Sequence, residues 1–280
     1  MDAQLLHTVA DGVATVVISN PAKRNAMTAA MWRALPGLLE TLAADPAVRA
    51  LVLTGAGATF CAGADISSLR GREPLPEAGA AAGAVPSPEA GAGPADDPQA
   101  LAVRAEEALA AFPKPTLAAI RGFCVGGGSQ LAAACDLRFA EEGASFGVTP
   151  AKLGIVYPAS STRRLTALVG PATAKYLLFS GELIDAGRAL RTGLVDELLP
   201  AGRLDERVAE FTRILTGRSQ LTQAAAKEFA NGRTDRDAHW AEQARAGGDT
   251  AEGVAAFLER RTPAFTWTLG AAAAPGAATP

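Results

Sequence analysis

The chain is poor in the side chains that most often carry out chemistry. It has only two histidines, His7 and His239, and neither lies near a serine or cysteine motif, which argues against a nucleophile that depends on an imidazole base. Its three cysteines, Cys61, Cys124 and Cys135, are too few for a disulfide scaffold and lack metal-ligand spacing. They read as small apolar residues in a reducing compartment, and no metal site is expected. No apolar run is long enough to span a bilayer, and Met1-Asp2-Ala3-Gln4 does not begin a leader with a charged and then an apolar region. The expectation is a cytoplasmic protein with no membrane partner. A net charge of −3 gives no reason to expect a nucleic acid either. Phosphate-cradle motifs are also missing. Gly126-Gly127-Gly128 continues as Ser129-Gln130, without the Gly-Lys-Ser/Thr of a P-loop. In Thr54-Gly55-Ala56-Gly57-Ala58-Thr59-Phe60, Phe60 stands where a dinucleotide fingerprint needs its third glycine.

What is present is a large apolar fraction, 49% of 280 residues, ample for a core. Val13 to Ser19 is a β-branched run and reads as a strand ended by Asn20-Pro21. Thr28 is placed to cap a helix running to Ala44 in spite of Pro36. Ala50 to Thr54 reads as a strand buried on both faces. Asp65 to Leu69 starts a short helix. From 71 to 98 the chain is almost entirely alanine, glycine, proline and acidic residues, without hydrophobic period, and reads as a mobile low-complexity loop. A helix over Ala100 to Phe112 and a strand over Pro115 to Ile120 follow. Further helices are read over Pro171 to Ser180 and Asp185 to Gly193. Alternating strands and helices up to about residue 200 imply an α/β core. Leu204 to Thr216, Leu221 to Gly232 and Asp235 to Arg261 read as an all-helical C-terminal region, and 269–280 as a disordered tail.

The most informative stretch is Arg121-Gly-Phe-Cys-Val-Gly-Gly-Gly-Ser-Gln130. Three consecutive glycines at a strand-to-helix junction let another molecule approach the backbone. They also leave first-turn N–H groups free to bind developing negative charge.

In order and spacing, several motifs together resemble the enoyl-CoA hydratase/isomerase family, the crotonase superfamily. They are Asn20-Pro-Ala-Lys-Arg-Asn-Ala-Met27, Phe60-Cys-Ala-Gly-Ala-Asp-Ile66, Ile120 to Gly128, Cys135-Asp136, Phe146-Gly147, Leu153-Gly154 and Gly181-Glu-Leu-Ile-Asp-Ala186. The resemblance runs from about Val13 to Phe265 around the loop at 71–98. It implies a spiral of ββα units over 1–200 that binds an acyl-CoA substrate, and a helical region at 201–268 used to form a homotrimer or hexamer. The implied setting is fatty acid metabolism, and no cofactor beyond the CoA of the substrate is implied. Carried over by motif, Ala64 and Gly127 would donate their N–H groups to the thioester oxygen. Lys23, Arg24, Ala26, Ala62, Asp65 and Ile66 would follow the adenine and pantetheine, with Val125 and Pro150 completing the binding set. For Lys23 and Arg24 a solvated turn is an equally good reading.

The pattern breaks at the acid/base groups. Family hydratases carry a glutamate where this chain has Gln130 and another where it has Pro150. An amide orients water but takes no proton, and proline does neither. Chemistry that needs only enolate stabilisation survives that loss, so decarboxylation of a malonyl-type CoA ester is the leading expectation. Thr149-Pro-Ala-Lys-Leu-Gly-Ile-Val-Tyr157 is similar to a stretch of the family's methylmalonyl-CoA decarboxylases, in which the tyrosine lines the acyl pocket. Those enzymes have a histidine at the place of Ala64. Tyr157 is thus either a donor to substrate or water, or a rim tyrosine with a structural partner. Two alternatives remain: an atypical hydratase or isomerase using Tyr157 or water, and a non-catalytic acyl-CoA-binding subunit.

Overall fold

The structure, a computed structural model, describes residues 2–65 and 97–269. The expected helix from Asp65 to Leu69, Ile66, nearly all of the loop at 71–98 and the tail beyond Leu269 lie outside the described residues. The chain opens with β1 (Gln4–Ala10), β2 (Val13–Ser19), α1 (Ala29–Ala44) and β3 (Ala50–Gly55). It resumes with α2 (Pro98–Ala110), β4 (Thr116–Ile120), β5 (Phe123–Val125), α3 (Gly127–Ala134), β6 (Leu137–Glu141) and β7 (Ser145–Gly147). Next come α4 (Ala159–Ser180), β8 (Ile184–Asp185), α5 (Ala186–Arg191) and β9 (Glu197–Leu199). The chain ends with α6 (Leu204–Thr216), α7 (Gln220–Ala230), α8 (Asp237–Ala246) and α9 (Asp249–Glu259).

A six-stranded sheet has the order β1-β2-β3-β4-β6-β9, and a smaller sheet the order β5-β7-β8. In the large sheet only β1 and β2 are antiparallel. The segments β4-β5-α3 and β6-β7-α4 repeat one unit: a strand in the large sheet, a strand in the small one, then a helix. This is the α/β spiral of ββα units that the motifs imply. Cys61 bridges to Cys124 in parallel, so the chain leaving β3 joins the small sheet in the same way.

Alternation along the central strands explains the layering. Leu51, Leu53, Ala118 and Ile120 face one apolar cluster with α1, α2 and α3. Val52, Leu117, Ala119 and Phe139 face the other with Leu204, Val208 and Phe211 of α6. Buried on both faces, these strands are continuous apolar runs rather than alternating ones. In α1, Thr28 Oγ1 accepts from Met31 N at 3.3 Å, and Met31, Trp32, Leu35, Leu39 and Leu42 form the buried stripe. Burying each such side chain is worth about 1.5–3 kcal/mol. Pro36 lacks an N–H to bond back one turn, yet the helix continues through it.

Three elements differ from the sequence reading. β1 was not expected; its burial pattern shows almost no inward face, so no period marks it. The signal lay in the turn, where Asp11 and Gly12 take φ of 50° and 79°, as a two-residue hairpin requires. The helix read at Pro171 is the second half of α4, which begins at Ala159 and breaks at Gly170 (φ 72°, ψ 164°). The single helical stretch read over Asp235 to Arg261 is two helices, α8 and α9, separated at Gly247-Gly248. Among the described residues no helix is long and apolar enough to cross a membrane.

Candidate active site

Each of the three consecutive glycines is needed for a different reason. Gly126 takes φ 54°, ψ −115°, where a side chain is strained, and its N–H donates to Gly147 O at 2.8 Å. A Cβ on Gly127 would lie 2.8 Å from Trp32 Cζ2, and one on Gly128 2.4 Å from Cys61 O. Helix α3 therefore starts with its backbone pressed against the α1 indole on one side and the Cys61 main chain on the other. Ser129 Oγ, 2.7 Å from Cys124 O and 2.8 Å from Gly147 O, ties the first turn to the small sheet.

A second segment comes to meet it. The turn after β2 has Arg24 and Asn25 at φ 49° and 58°. The Asn25 amide holds it, donating to Ala56 O and Thr59 O while its oxygen accepts from Asn20 N. Ala62 N donates to Arg24 O at 3.0 Å, Met27 N to Gly63 O at 2.8 Å and Asp65 N to Met27 O at 2.8 Å. In this parallel bridge Met27 bonds the neighbours of Ala64, so the Ala64 N–H points away from it. A Cβ on Gly127 would sit 3.4 Å from Ala64 N. Among the described residues neither Ala64 N nor Gly127 N donates to a backbone acceptor. Two main-chain donors from separate segments thus approach each other in one place, and Gly127 leads a helix whose dipole favours negative charge there.

Both donors line a cleft of about 730 Å³. Lys23, Arg24, Ala26, Ala62, Asp65, Gln130, Pro150 and Tyr157 line the same cleft. Of the residues expected from sequence, Val125 does not line it and Ile66 lies outside the described residues. Val125 instead donates its N–H to Cys61 O. Lys23 Nζ is 2.7 Å from Asp65 Oδ2, so two expected site residues are bonded to each other. The Arg24 guanidinium lies 5.3 Å from the Phe123 ring centroid. Gly126 of the triple glycine lines it too, and Trp32, Gly63, Thr149, Leu153 and Ile155, with Asp97 to Gln99 and Ala102, line it without having been anticipated.

Behind Gln130 lies a carboxylate that the sequence reading missed. Glu106 on α2 is fully buried. Gln130 Nε2 donates to its Oε2 at 2.7 Å, Ser161 Oγ donates to the same oxygen, and Arg164 Nη1 pairs with Oε1. Gln130 Nε2 also lies 3.2 Å from Ser161 Oγ. Ser161 sits inside the first turn of α4, whose N-cap position is Pro158, so its hydroxyl serves Glu106 rather than the helix end. The signal for Glu106 was periodicity: it falls in the stripe of Leu101, Ala102, Ala105 and Leu109, where only a partnered charge is tolerated.

Tyr157 packs partly buried against the core on the cleft wall. Burial first, and then the negative charge of Glu106, push its hydroxyl well above the usual tyrosine range, against a smaller opposing pull from Arg164. It holds its proton at neutral pH. Burial also pushes the Cys61 thiol up to about 11 and that of Cys135 to about 12, and Cys124 shifts the same way. All three are buried and uncombined, which agrees with their reading as small apolar residues. Asp136 accepts from Thr116 N and Oγ1 and from Lys227 Nζ, a structural role.

The model of the family described as enoyl-CoA hydratase/isomerase matches residues 8–86 and 91–268. A crotonyl-CoA hydratase of Syntrophomonas wolfei is 33% identical over 262 residues, covering 90% of this chain and 94% of the relative. A putative enoyl-CoA hydratase of Thermus thermophilus is 35% identical over 261 residues, covering 90% and 97%. Among solved structures, a putative enoyl-CoA hydratase/isomerase family protein from Hyphomonas neptunium superposes with a TM-score of 0.82 at 36% identity, covering 94% of this chain and 97% of that one.

Proposed function

The chain belongs to the enoyl-CoA hydratase/isomerase family and acts on an acyl-CoA thioester; from that premise we propose that it stabilises a thioester enolate and that its reaction is the decarboxylation of a malonyl-type CoA ester. One observation carries the reading. The paired N–H groups of Ala64 and Gly127 meet over a cleft that presents Gln130, Pro150 and Tyr157 at the positions beyond them.

In this mechanism the thioester oxygen accepts from Ala64 N–H and Gly127 N–H. The bond between the α-carbon and the carboxylate breaks, its electron pair enters the enolate, and CO₂ leaves. Charge grows on the thioester oxygen as this happens, so donors fixed by the backbone are worth more in the transition state than in the bound substrate. No base is required. The α-carbon then takes a proton from water or from the Tyr157 hydroxyl, which its surroundings keep protonated. In this reading the adenine and phosphates are taken by Lys23 and Arg24, which line the same cleft. No cofactor beyond the CoA of the substrate enters this reading. The assembly is a homotrimer or hexamer in which Val254, Phe257 and Leu258, exposed on α9, are covered by a neighbour.

CO₂ release from malonyl-CoA and methylmalonyl-CoA by the purified protein is the test. The expected result is turnover that saturates with substrate; no turnover on any dicarboxylic acyl-CoA would overturn it. The names of the relatives favour a second reading, hydration of an enoyl-CoA, with water held by Gln130 and Tyr157. Hydration of crotonyl-CoA that is lost in Tyr157→Phe would select it.

A further inference from the structure

Two of the four polar side chains at the end of the cleft never reach it. Gln130 and Tyr157 line it, whereas Glu106 and Ser161 stand behind, fully or almost fully buried. Burying a carboxylate is costly unless it is fully partnered, and the partners here have a definite chemistry. The Arg164 guanidinium pairs with Oε1, while Ser161 Oγ and Gln130 Nε2 converge on Oε2. Three donors on one carboxyl suit an anion, which only accepts.

That chemistry fixes the orientation of the Gln130 amide. Turned over, it would press Oε1 against Glu106 Oε2 at 2.7 Å, two acceptors in contact. With Nε2 inward, the N–H side of the amide is directed at Glu106 Oε2 and Ser161 Oγ, which lie side by side. The group left for the cleft is the carbonyl Oε1. Gln130 also lies three residues after Gly127 on α3, and residues so spaced share a helix face. The acyl carbons of a thioester whose oxygen sits at Gly127 N–H therefore run past an acceptor, with the negative end of the Glu106–Arg164 pair behind it.

We propose that Glu106 is a positioning residue of this site: by locking the Gln130 amide it makes the acyl end a wall of lone pairs, which discriminates against a bound carboxylate and favours its loss as neutral CO₂. The electrostatic half of this statement holds for any acyl-CoA, and its catalytic half rests on the decarboxylase reading. The carboxylate of a malonyl-type substrate finds no donor in Gln130 and faces the Glu106 charge. Breaking the carbon–carbon bond moves that substrate charge onto the thioester oxygen, where Ala64 and Gly127 wait. The substrate class is thus a thioester bound by its CoA end and stressed at its acid end.

Glu106→Gln tests this. It removes the charge, leaves the Arg164 cation without its carboxylate, and lets the Gln130 amide turn to present Nε2 to the cleft; Gln130→Met, which keeps the Glu106–Arg164 pair, separates the amide's part from that of the uncovered cation. Calorimetric binding of butyryl-CoA and succinyl-CoA, equal in acyl length and differing in a methyl or a carboxylate end, reads the wall without turnover. Expected in the native protein is weaker binding of succinyl-CoA than of butyryl-CoA. In Glu106→Gln the gap narrows about tenfold, the scale of one hydrogen bond to a charged group, with butyryl-CoA unchanged. With malonyl-CoA, kcat and KM both fall in Glu106→Gln, the mark of lost ground-state stress; a purely structural role would lower kcat or stability without tightening KM. Gln130→Met, close in volume and without polar atoms, narrows the same gap and decides the matter if Glu106→Gln does not fold. Equal shifts for both ligands, or no shift in either variant, would overturn the proposal. If the native protein leaves malonyl-CoA intact but the binding gap narrows as stated, the decarboxylase reading falls and the role of Glu106 stands.

Discussion

Ala64 and Gly127 offer the cleft main-chain N–H groups, whereas Gln130 offers it the oxygen of a side-chain amide held from behind by Glu106. The first side is made of backbone and needs small residues. Its geometry follows from a parallel bridge at Met27 and Ala64 and from the first turn of α3. The second side is made of side chains from α2, α3 and α4, and its geometry follows from a charge network. A backbone donor has no rotamer to lose and no alternative partner to turn towards. A side-chain amide has both, so it works only if something else spends a buried charge to hold it. The two sides should therefore fail differently when disturbed: the backbone side in rate, the side-chain side in stability and selectivity.

The largest effect should come from Arg164→Ala. It leaves Glu106 buried without its cation, and breaking such a pair costs about 3–5 kcal/mol. Arg164 is itself only 22% exposed, so solvent replaces it poorly. Urea denaturation measures the loss; a change under about 1 kcal/mol would show that the network is not what holds this side. Next is Gly127→Pro, which deletes one donor at a first helical position; its ring also meets the Trp32 indole, so it is compared with Gly127→Ala, which brings the same Cβ and keeps the N–H. A fall of about 10²–10³ in kcat is expected, with CoA itself still bound in calorimetry. Retained activity would remove Gly127 from the mechanism. Gly128→Ala should be smaller, about 1–3 kcal/mol of stability, because its Cβ must displace the Cys61 carbonyl; the midpoint of chemical denaturation reports it.

The smallest effect is on pH dependence and concerns Tyr157. Tyr157 and Tyr176 are the only tyrosines, so Tyr176→Phe leaves a single titrating phenol. Burial and Glu106 raise its pKa, so the folded protein keeps this proton where an unfolded chain has lost it. Its contribution to stability is complete below the ordinary tyrosine value of about 10 and declines as pH rises above it towards the raised value. In folded Tyr176→Phe, ultraviolet absorbance should show no phenol ionisation until the pH is above 10. An ordinary titration at about 10 would break the link between Tyr157 and the buried side.

This contrast also separates what the sequence disclosed from what it hid. Strands β2, β3 and β4 announce themselves as apolar runs because they are buried on both faces, and the glycines are local signals of a local geometry. Ala64, Gly127 and the turn from Lys23 to Ala26 were therefore legible as segments that come to one cleft. Glu106 was not, because its meaning depends on Gln130, Ser161 and Arg164, which join it only after α2, α3 and α4 pack. Nor was the first half of α4, whose start at Ala159 carries no side-chain cap to mark it. β1 escaped because an edge strand with little inward face has no period to display. Gln130 and Pro150 do line the cleft, but the carboxylate standing one layer deeper was not read.

The contact between Gly127 and Trp32 sets a rule for how this protein can change over time. The indole occupies the space a side chain at 127 would need, 2.8 Å from its Cβ position, so a methyl there must wait for a smaller residue at 32. A smaller residue at 32, arriving first, opens a hole in the core. Each step alone is penalised and only the two together are neutral. Among descendants of this chain, positions 32 and 127 should change as a pair or stay as they are.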